Sequence, residues 1–587
     1  MSSPFHGALV EDDATTFRVW APDAARLTLV LDDRALPLAS VGNGVFERTD
    51  VDAPPGTRYR LRPDDEGPFP DPASRFQPAG VHGPSEVVDP GAYDWQDDDW
   101  AGVAREDLVF YELHVGAFTE AGTFDAVRER LSYLASLGVT AIELMPVHDF
   151  PGERNWGYDP AALFAPAGAY GRPDALRRLV DAAHEAGLAV ILDVIYNHFG
   201  PDGAYANAFA PVLTDKYETP WGSAVNLDDD GSDGVRRFFL DNALHWLREY
   251  HVDGLRLDAT HVLHDESDPH FLADLSDAVD EHADGPTRHL IAEDHRNLNR
   301  LVQPRTDGGY GLDAVWSDDL HHQLRVLTAG DREGYYRDYQ DATAAEIATT
   351  LRDGWFYRGE YSEHLDAPRG TDPAPVDRDQ CVVFIQNHDQ VGNRPTGNRL
   401  TDDVSLPVYR ALSVLLCVAQ ELPLLFMGQE WAASTPFQFF TDHNEELGPS
   451  VTQGRKEEFE GFSGFDGAVP DPQDPATFEC SVLRWDELRR PPHDGVLALY
   501  RDLLALRPTL GDEMRVEAPS DTTLVVDRPP VRVLVNLKGR AEFAVSGTRT
   551  MALHTEQSGY TSAPRPPSVG GETLSFVRPG AVILQRE

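Results

Sequence analysis

Lysine is almost missing from this chain: Lys216, Lys456 and Lys538 are the only three, and arginine makes up the rest of the 50 basic side chains. Against them stand 98 acidic residues, a formal net charge of −48 over 587 residues. A surface this negative repels phosphate backbones and anionic bilayers, which excludes nucleic acid and membranes as partners. It keeps a protein soluble, and it is also the pattern expected of a chain working in strong salt, where self-repulsion is screened over about 3 Å at 1 M. Cysteine is as scarce as lysine. Cys381, Cys417 and Cys480 are odd in number and widely spaced, so neither a disulfide framework nor a zinc site is expected. Cys381 opens a strand-like run and Cys417 falls in an apolar helical pattern, and both read as small buried hydrophobes. Long apolar runs are absent too: Ala411 to Ala419 is far short of the roughly 20 residues a membrane span needs. Met1-Ser2-Ser3-Pro4-Phe5-His6 has no basic head and no apolar stretch, so no leader is expected and a cytoplasmic location is.

The 41% of hydrophobic residues is ample for a large core, and the length suggests three or four domains. Residues 1–95 read as an all-β sandwich, with Phe17-Arg18-Val19-Trp20, Arg26-Leu27-Thr28-Leu29-Val30 and Thr57-Arg58-Tyr59-Arg60-Leu61 separated by Pro, Gly and Asp. Residues 96–508 alternate strand and helix patterns, which predicts βα units around a parallel sheet. Eight strands are expected: Leu108 to Val115, Val139 to Met145, Ala189 to Ile195, Gly254 to Asp258, His289 to Glu293, Leu312 to Trp316, Cys381 to Gln386, and Pro423 to Met427. Eight is the number that closes a (β/α)₈ barrel.

Helical stripes fill the gaps. Phe124, Val127, Leu131 and Leu134 share one helix face with Gly138 as a C-cap, and Val235, Phe239, Trp246 and Tyr250 repeat the pattern. Pro173 to Ala186 and Leu406 to Ala419 are helical as well. Two stretches are too long for simple turns, 199–232 and 318–380, and are expected to be loop insertions that shape a cleft. Residues 509–587 return to strands and read as a second, C-terminal β-sandwich.

Four segments end apolar strand runs on chemistry-bearing side chains: Asp193-Val194-Ile195-Tyr196-Asn197-His198, Gly254-Leu255-Arg256-Leu257-Asp258, Leu290-Ile291-Ala292-Glu293-Asp294 and Phe384-Ile385-Gln386-Asn387-His388-Asp389. In a (β/α)₈ barrel all such ends converge on one face, so residues two hundred positions apart share one pocket. Cleaving an acetal between sugars needs one acid to protonate the leaving oxygen and one carboxylate at the oxocarbenium-like carbon. Asp258 and Glu293 are the pair expected. Arg256, two residues before Asp258, lies on the same side of its strand and would favour the charged carboxylate.

In order and residue type the four segments resemble the α-amylase family of retaining glycoside hydrolases. That resemblance implies Asp258 as nucleophile, Glu293 as general acid/base and Asp389 as a third carboxylate gripping sugar hydroxyls. It implies substrate contacts from Tyr158 as an aromatic platform, from His198 and His388 as donors, and from Arg256, His261 and Asn387. Glu143-Leu144-Met145-Pro146-Val147, Trp156-Gly157-Tyr158, Tyr196-Asn197-His198-Phe199-Gly200-Pro201, Phe426-Met427-Gly428-Gln429-Glu430-Trp431 and Phe439-Phe440-Thr441-Asp442-His443 narrow the resemblance. They look like the trehalose-releasing branch, the maltooligosyltrehalose trehalohydrolases.

The substrate so implied is maltooligosyltrehalose, cut at the α-1,4 bond beside its terminal trehalose unit. Trp221, the cluster Asp318, Asp319, His321 and His322, and Trp431 with Phe437 to Phe440 are candidates to contact that unit. For the Asp318 to His322 cluster a plain polar loop, and for the aromatics core packing, stand as alternatives. Asn197 matches a position that holds calcium in many α-amylases; one Asn falls far short of the six to eight oxygens Ca²⁺ takes, so no metal and no cofactor is expected. A glycogen-branching or debranching enzyme would share the four segments, and an inactive glycan-binding relative would lack one of the charged residues that are all present here.

Overall fold

The computed structural model describes residues 6–586 except 12–13, 33, 51, 282–286, 460–468 and 546–548. Most of the opening segment on which the absence of a leader was read lies outside the described residues. Among those described, no helix is long and apolar enough to cross a membrane.

Eight parallel strands close on themselves: β1 (Phe110–Leu113), β2 (Ala141–Leu144), β3 (Ala189–Val194), β4 (Gly254–Leu257), β5 (His289–Glu293), β6 (Ala314–Trp316), β7 (Cys381–Phe384) and β8 (Leu422–Phe426), with β8 paired back to β1. This is the (β/α)₈ barrel expected from the sequence. Side chains along a barrel strand alternate between the interior and the surrounding helices. Phe110, Ala141, Ile191, Ile291, Trp316, Phe384 and Leu424 fill the interior, while Tyr111, Ile142, Leu144, Val190 and Leu192 belong to the core under the helices. Two residues further along the same inward rows come Glu112, Glu143, Asp193, Glu293 and Asp318. The interior is therefore an apolar plug at its base and charged toward the strands' C-terminal ends.

The apolar stripes place the helices. Ser232–Glu249 buries Val235, Phe239 and Trp246, and Leu406–Val418 is buried almost throughout. Phe124 to Leu134 is a correction: the stripe is two helices, Phe124–Arg128 and Leu131–Leu137, with the break at Glu129 and Arg130. The Arg130 guanidinium lies 4.3 Å from the centre of the Trp485 ring at that break. Gly138 closes the second helix in the left-handed region, φ 102°, which a residue without Cβ adopts freely.

The stretch 199–232 contains a hairpin, Leu213–Thr219 with Gly222–Val225. The stretch 318–380 is less a loop than expected. It holds two helices, Asp319–Thr328 and Ala344–Asp353, and a hairpin of Arg358–Ser362 with Ala367–Gly370. Leu320, Leu324, Ile347 and Leu351 recur at helical spacing there and are buried, a pattern hidden among the charges. Two four-stranded sheets precede the barrel, and a five-stranded and a three-stranded sheet follow it. In Leu27–Leu31 the leucines at 27, 29 and 31 turn inward while Thr28 and Val30 are only partly covered, the period of a sheet with one wet face.

Candidate active site

Arg256 is the centre of the charged mouth. Its side chain is fully buried, 4.5 Å over the Trp316 ring. Nη1 donates to Asp258 Oδ1 at 2.8 Å and to the two oxygens of Asp193 at 2.9 and 2.8 Å, and Nη2 lies 3.6 Å from Glu293 Oε2. Three carboxylates thus share one cation. Asn197 Nδ2 donates to the other oxygen of Asp258 at 2.8 Å and fixes its plane. The Asn197 oxygen meets His198 Nδ1. Among the described residues no three His, Cys, Asp or Glu are grouped to hold a metal ion.

Glu293 ends β5 beside them. Ala259, the residue after Asp258, has φ 41°, a conformation uncommon for a residue with a Cβ, and its N–H donates to Glu293 Oε2 at 2.6 Å. Burial pushes the Glu293 carboxyl up to about 8, and Asp258, Asp389 and Asp318 push the same way against Arg256. Burial also raises Asp193 to about 7, helped by Asp258 and opposed by Arg256.

Beyond β7 the chain turns into the short helix His388–Gly392, capped by Asn387 Oδ1, which accepts the Gln390 N–H at 2.7 Å. The cap presents Asp389, partly exposed and braced by Asn393 Nδ2 at 3.0 Å. His388 is buried; its Nε2 sits 2.8 Å from the Tyr158 hydroxyl and 3.5 Å from Asp389 Oδ1. Burial works against charge on this imidazole, but Asp389 and Glu112 outweigh it and raise His388 to about 9. Tyr158 stacks on the His388 ring, centroids 5.2 Å apart, and donates to Asp193 at 2.6 Å.

Asp258, Glu293, Asp389, Tyr158, Arg256 and His388 therefore meet at one mouth, with His198 against Tyr158 through its Nε2, 2.9 Å from the Tyr158 carbonyl. His261 lies on the turn after Asp258, edge-on to His295 with ring centroids 4.3 Å apart, and burial lowers its affinity for a proton. Asp318 caps the gap between β6 and the next helix, pushed up to about 7 by burial and by Asp319 and Asp389.

Other expected contacts lie elsewhere. Asp319 is fully buried: Arg369 Nη2 at 3.0 Å, Asn297 Nδ2 at 2.8 Å and the Tyr339 hydroxyl take its oxygens, so none is left for a sugar. His321 is buried against the Ile385 carbonyl at 3.0 Å, and His322 is enclosed by Tyr335, Tyr336 and Tyr339. Asn387 is a buried cap. Trp431, Phe437 and Phe440 are core residues with no exposed surface. For the aromatics the core-packing alternative holds, and the Asp319 to His322 stretch is the packed face of a helix rather than a cleft wall or a polar loop. Trp221 is the reverse: half exposed at the hairpin tip, its ring lies 4.4 Å from His198 and within 4° of parallel.

Asp193 and Glu143 stand inside the motifs quoted above without a role of their own, and Glu112 stands outside them. Glu112 takes the His388 N–H at 2.9 Å and meets its Nδ1, and Glu143 is the register neighbour of Glu112, its carboxyl pushed well above the usual range by burial and by Glu112. The signal was a lone acid inside an apolar strand run, Phe-Tyr-Glu-Leu and Ala-Ile-Glu-Leu. A charge is buried only where something answers it.

With this geometry in place, comparison with known proteins is informative. A family model described as alpha amylase, catalytic domain, matches residues 93–217. Malto-oligosyltrehalose trehalohydrolase of Deinococcus radiodurans is 48% identical, over 85% of this chain and 82% of its own length. The enzyme of the same name from Saccharolobus solfataricus is 40% identical, over 93% and 95%. The chain belongs to the malto-oligosyltrehalose trehalohydrolase family. It is a glycoside hydrolase of the α-amylase family. Among solved structures, a Salmonella typhimurium protein described as a candidate alpha amylase superposes with a TM-score of 0.91 at 36% identity, covering 99% of both chains. A pullulanase from Anoxybacillus sp. shares the fold, TM-score 0.72 at 19% identity, over 100% of this chain and 88% of that one. The branching enzyme of Corynebacterium jeikeium is a weaker relative, 30% identical over 57% of this chain and 52% of its own.

Proposed function

We propose that this trehalohydrolase cleaves the α-1,4 bond next to the terminal trehalose unit of maltooligosyltrehalose, releasing trehalose and a maltooligosaccharide, with Asp258, Glu293 and Asp389 as its catalytic carboxyls. The observation that carries the site reading is the division of labour around Arg256. Asp258 is held in plane by Arg256 and Asn197, while Glu293 is pushed up to about 8 and keeps its proton at neutral pH. Glu293 protonates the glycosidic oxygen as Asp258 attacks the anomeric carbon. Once Asp258 is esterified its charge is gone, one of the causes that raise Glu293 is removed, and Glu293 becomes able to take a proton from the incoming water. Two inversions give net retention.

Asp389 grips hydroxyls of the sugar being cleaved, with Tyr158 beneath its ring. Trp221, fixed flat on His198 and half exposed, offers a face to the trehalose side. The branching alternative is tested together with the main reading. Purified enzyme incubated with maltooligosyltrehalose releases free trehalose, whereas plain maltooligosaccharide is cut far more slowly and amylose keeps its iodine stain. Preference for plain maltooligosaccharide would remove the substrate assignment; loss of iodine stain without trehalose would favour branching.

A further inference from the structure

Below the mouth a chain of hydrogen bonds runs from the barrel interior to Asp258. Glu112, on β1, meets His388 Nδ1 and accepts the His388 backbone N–H at 2.9 Å. His388 Nε2 reaches the Tyr158 hydroxyl at 2.8 Å, Tyr158 donates to Asp193 Oδ2 at 2.6 Å, Arg256 Nη1 spans Asp193 and Asp258 at 2.8 Å each. Five elements that are distant in sequence contribute to it. Its members have one freedom left, the direction of each bond. A hydroxyl has one proton to give, and Tyr158 must give it to Asp193 if it is to receive one from His388.

We propose that Glu112 is a positioning residue for the hydrolysis: it keeps His388 doubly protonated, and thereby sets the direction of the hydrogen bonds through Tyr158, Asp193 and Arg256 to Asp258. With both nitrogens of His388 donating, one to Glu112 and one to Tyr158, Asp193 receives the tyrosine proton and Arg256 stays bound across Asp193 and Asp258. A neutral His388 has one proton for two acceptors. It either leaves Glu112 Oε1 without a donor, while Oε2 keeps the His388 backbone N–H, or lets Tyr158 turn its proton away from Asp193, and a buried acceptor without a donor is costly.

The groups facing His388 are Glu112 and His114 on and after β1, Glu143 on β2, Tyr158 beyond it, Asp193 on β3, Arg256 on β4 and Asp389 at its own side. Of these, Glu112 and Asp389 favour the charged ring, and Glu112 is the one that bonds to it directly. Asp389 is partly exposed and is needed for the sugar; Glu112 is 1% exposed and lies behind His388, on which it acts. The Glu143 carboxyl, equally buried and in register with Glu112, makes no hydrogen bond to His388 and serves as an internal control.

This inference rests on the assignment of Asp258 and Glu293 as the reacting pair, and the experiment separates the two. The full-length E112Q and E143Q variants are compared with wild type in kcat and KM for trehalose release across pH, with thermal melting recorded alongside. E112Q is expected to lose about ten- to a hundredfold in kcat at neutral pH, as for a removed bond to a charged group, with KM changed far less. Its activity on the basic side, limited in wild type by Glu293 near pH 8, should end earlier, where His388 without Glu112 loses its second proton, and E143Q should keep the wild-type profile. A folded E112Q whose kcat falls with no change in the basic limb, or an E143Q that shifts equally, overturns the proposal. If E112Q does not fold, NMR of histidine-labelled wild-type enzyme decides: His388, assigned by the signal lost in H388Q, must be doubly protonated near pH 8, and a neutral ring there overturns it. Turnover surviving in D258N would instead remove the underlying site assignment.

Discussion

Two buried arginines behave differently, and the contrast shows how the fold separates holding from reacting. Arg75 meets one carboxylate: Nη2 lies 2.6 Å from Glu249 Oε1 and Nε 2.9 Å from Oε2, tying the N-terminal region to the helix Ser232–Glu249. Burial alone would raise the Glu249 carboxyl, but Arg75 and His245 outweigh it and hold it well below the usual carboxylate range. Arg256 meets three carboxylates. One cation cannot answer three anions away from water, and the shortfall appears as Asp193 at about 7 and Glu293 at about 8. A matched pair is a strut; a mismatched cluster keeps a proton ready for transfer.

The strongest way to break this contrast is Glu293→Gln. Loss of the proposed general acid should lower kcat by about 10²- to 10⁴-fold and abolish the basic limb near pH 8. The same change should stabilise the fold. Glu293 gives up its proton in the unfolded chain near 4.5 but holds it to about 8 when folded, so its contribution to stability declines as pH rises between those values. Calorimetry should therefore find E293Q melting above wild type near pH 8, and the two alike near pH 4. Equal melting at both would mean Glu293 carries no such strain.

Arg75→Met tests the other side. It leaves the buried Glu249 carboxylate with His245 Nδ1, 3.2 Å away, as its remaining side-chain partner, at a cost of up to about 3–5 kcal/mol near neutral pH, read by urea titration, with kcat of the folded enzyme unchanged. The Glu249 contribution is present above the usual glutamate range and is lost as pH falls through the lowered value of the folded state, so the gap between variant and wild type should close in acid. Replacing both partners, R75M with E249L, should recover most of the loss. A cost well under 1 kcal/mol for R75M alone would show that the pair is no strut.

The smallest effect belongs to the surface. Matched interior pairs are shielded from solvent ions, whereas the excess of 98 acidic over 50 basic side chains is largely screened at 1 M salt. The melting temperature should therefore climb steadily from low to molar KCl in wild type, and the R75M deficit should stay constant along the series. A flat response would leave the acidity as a solubilising coat with no link to salt.

Much of the barrel was legible because a buried parallel strand is a short apolar run bounded by breakers, and eight such runs occur in order. The carboxyls proposed as catalytic were legible because they stand at the ends of those runs. Helix faces inside 318–380 were harder to see: Asp319, His321 and His322 are polar in sequence, and only Arg369, Ile385 and three tyrosines, brought from elsewhere, show that they are packed. Trp431 and Phe437 were ambiguous for the opposite reason, since a large aromatic looks the same in a core as in a cleft.

What the sequence determined by itself is periodic and local: the eight strands, the turn residues that end them, the acids that stand there, and a net charge of −48. What the tertiary structure decided is which charges answer one another. Glu112 and Glu249 are both glutamates in apolar surroundings, and no local pattern tells that one meets a histidine and the other an arginine. Coulomb interaction depends on distance in space, and closing the barrel alone brings β1, β3, β4, β5 and β7 within reach of a single guanidinium and a single imidazole.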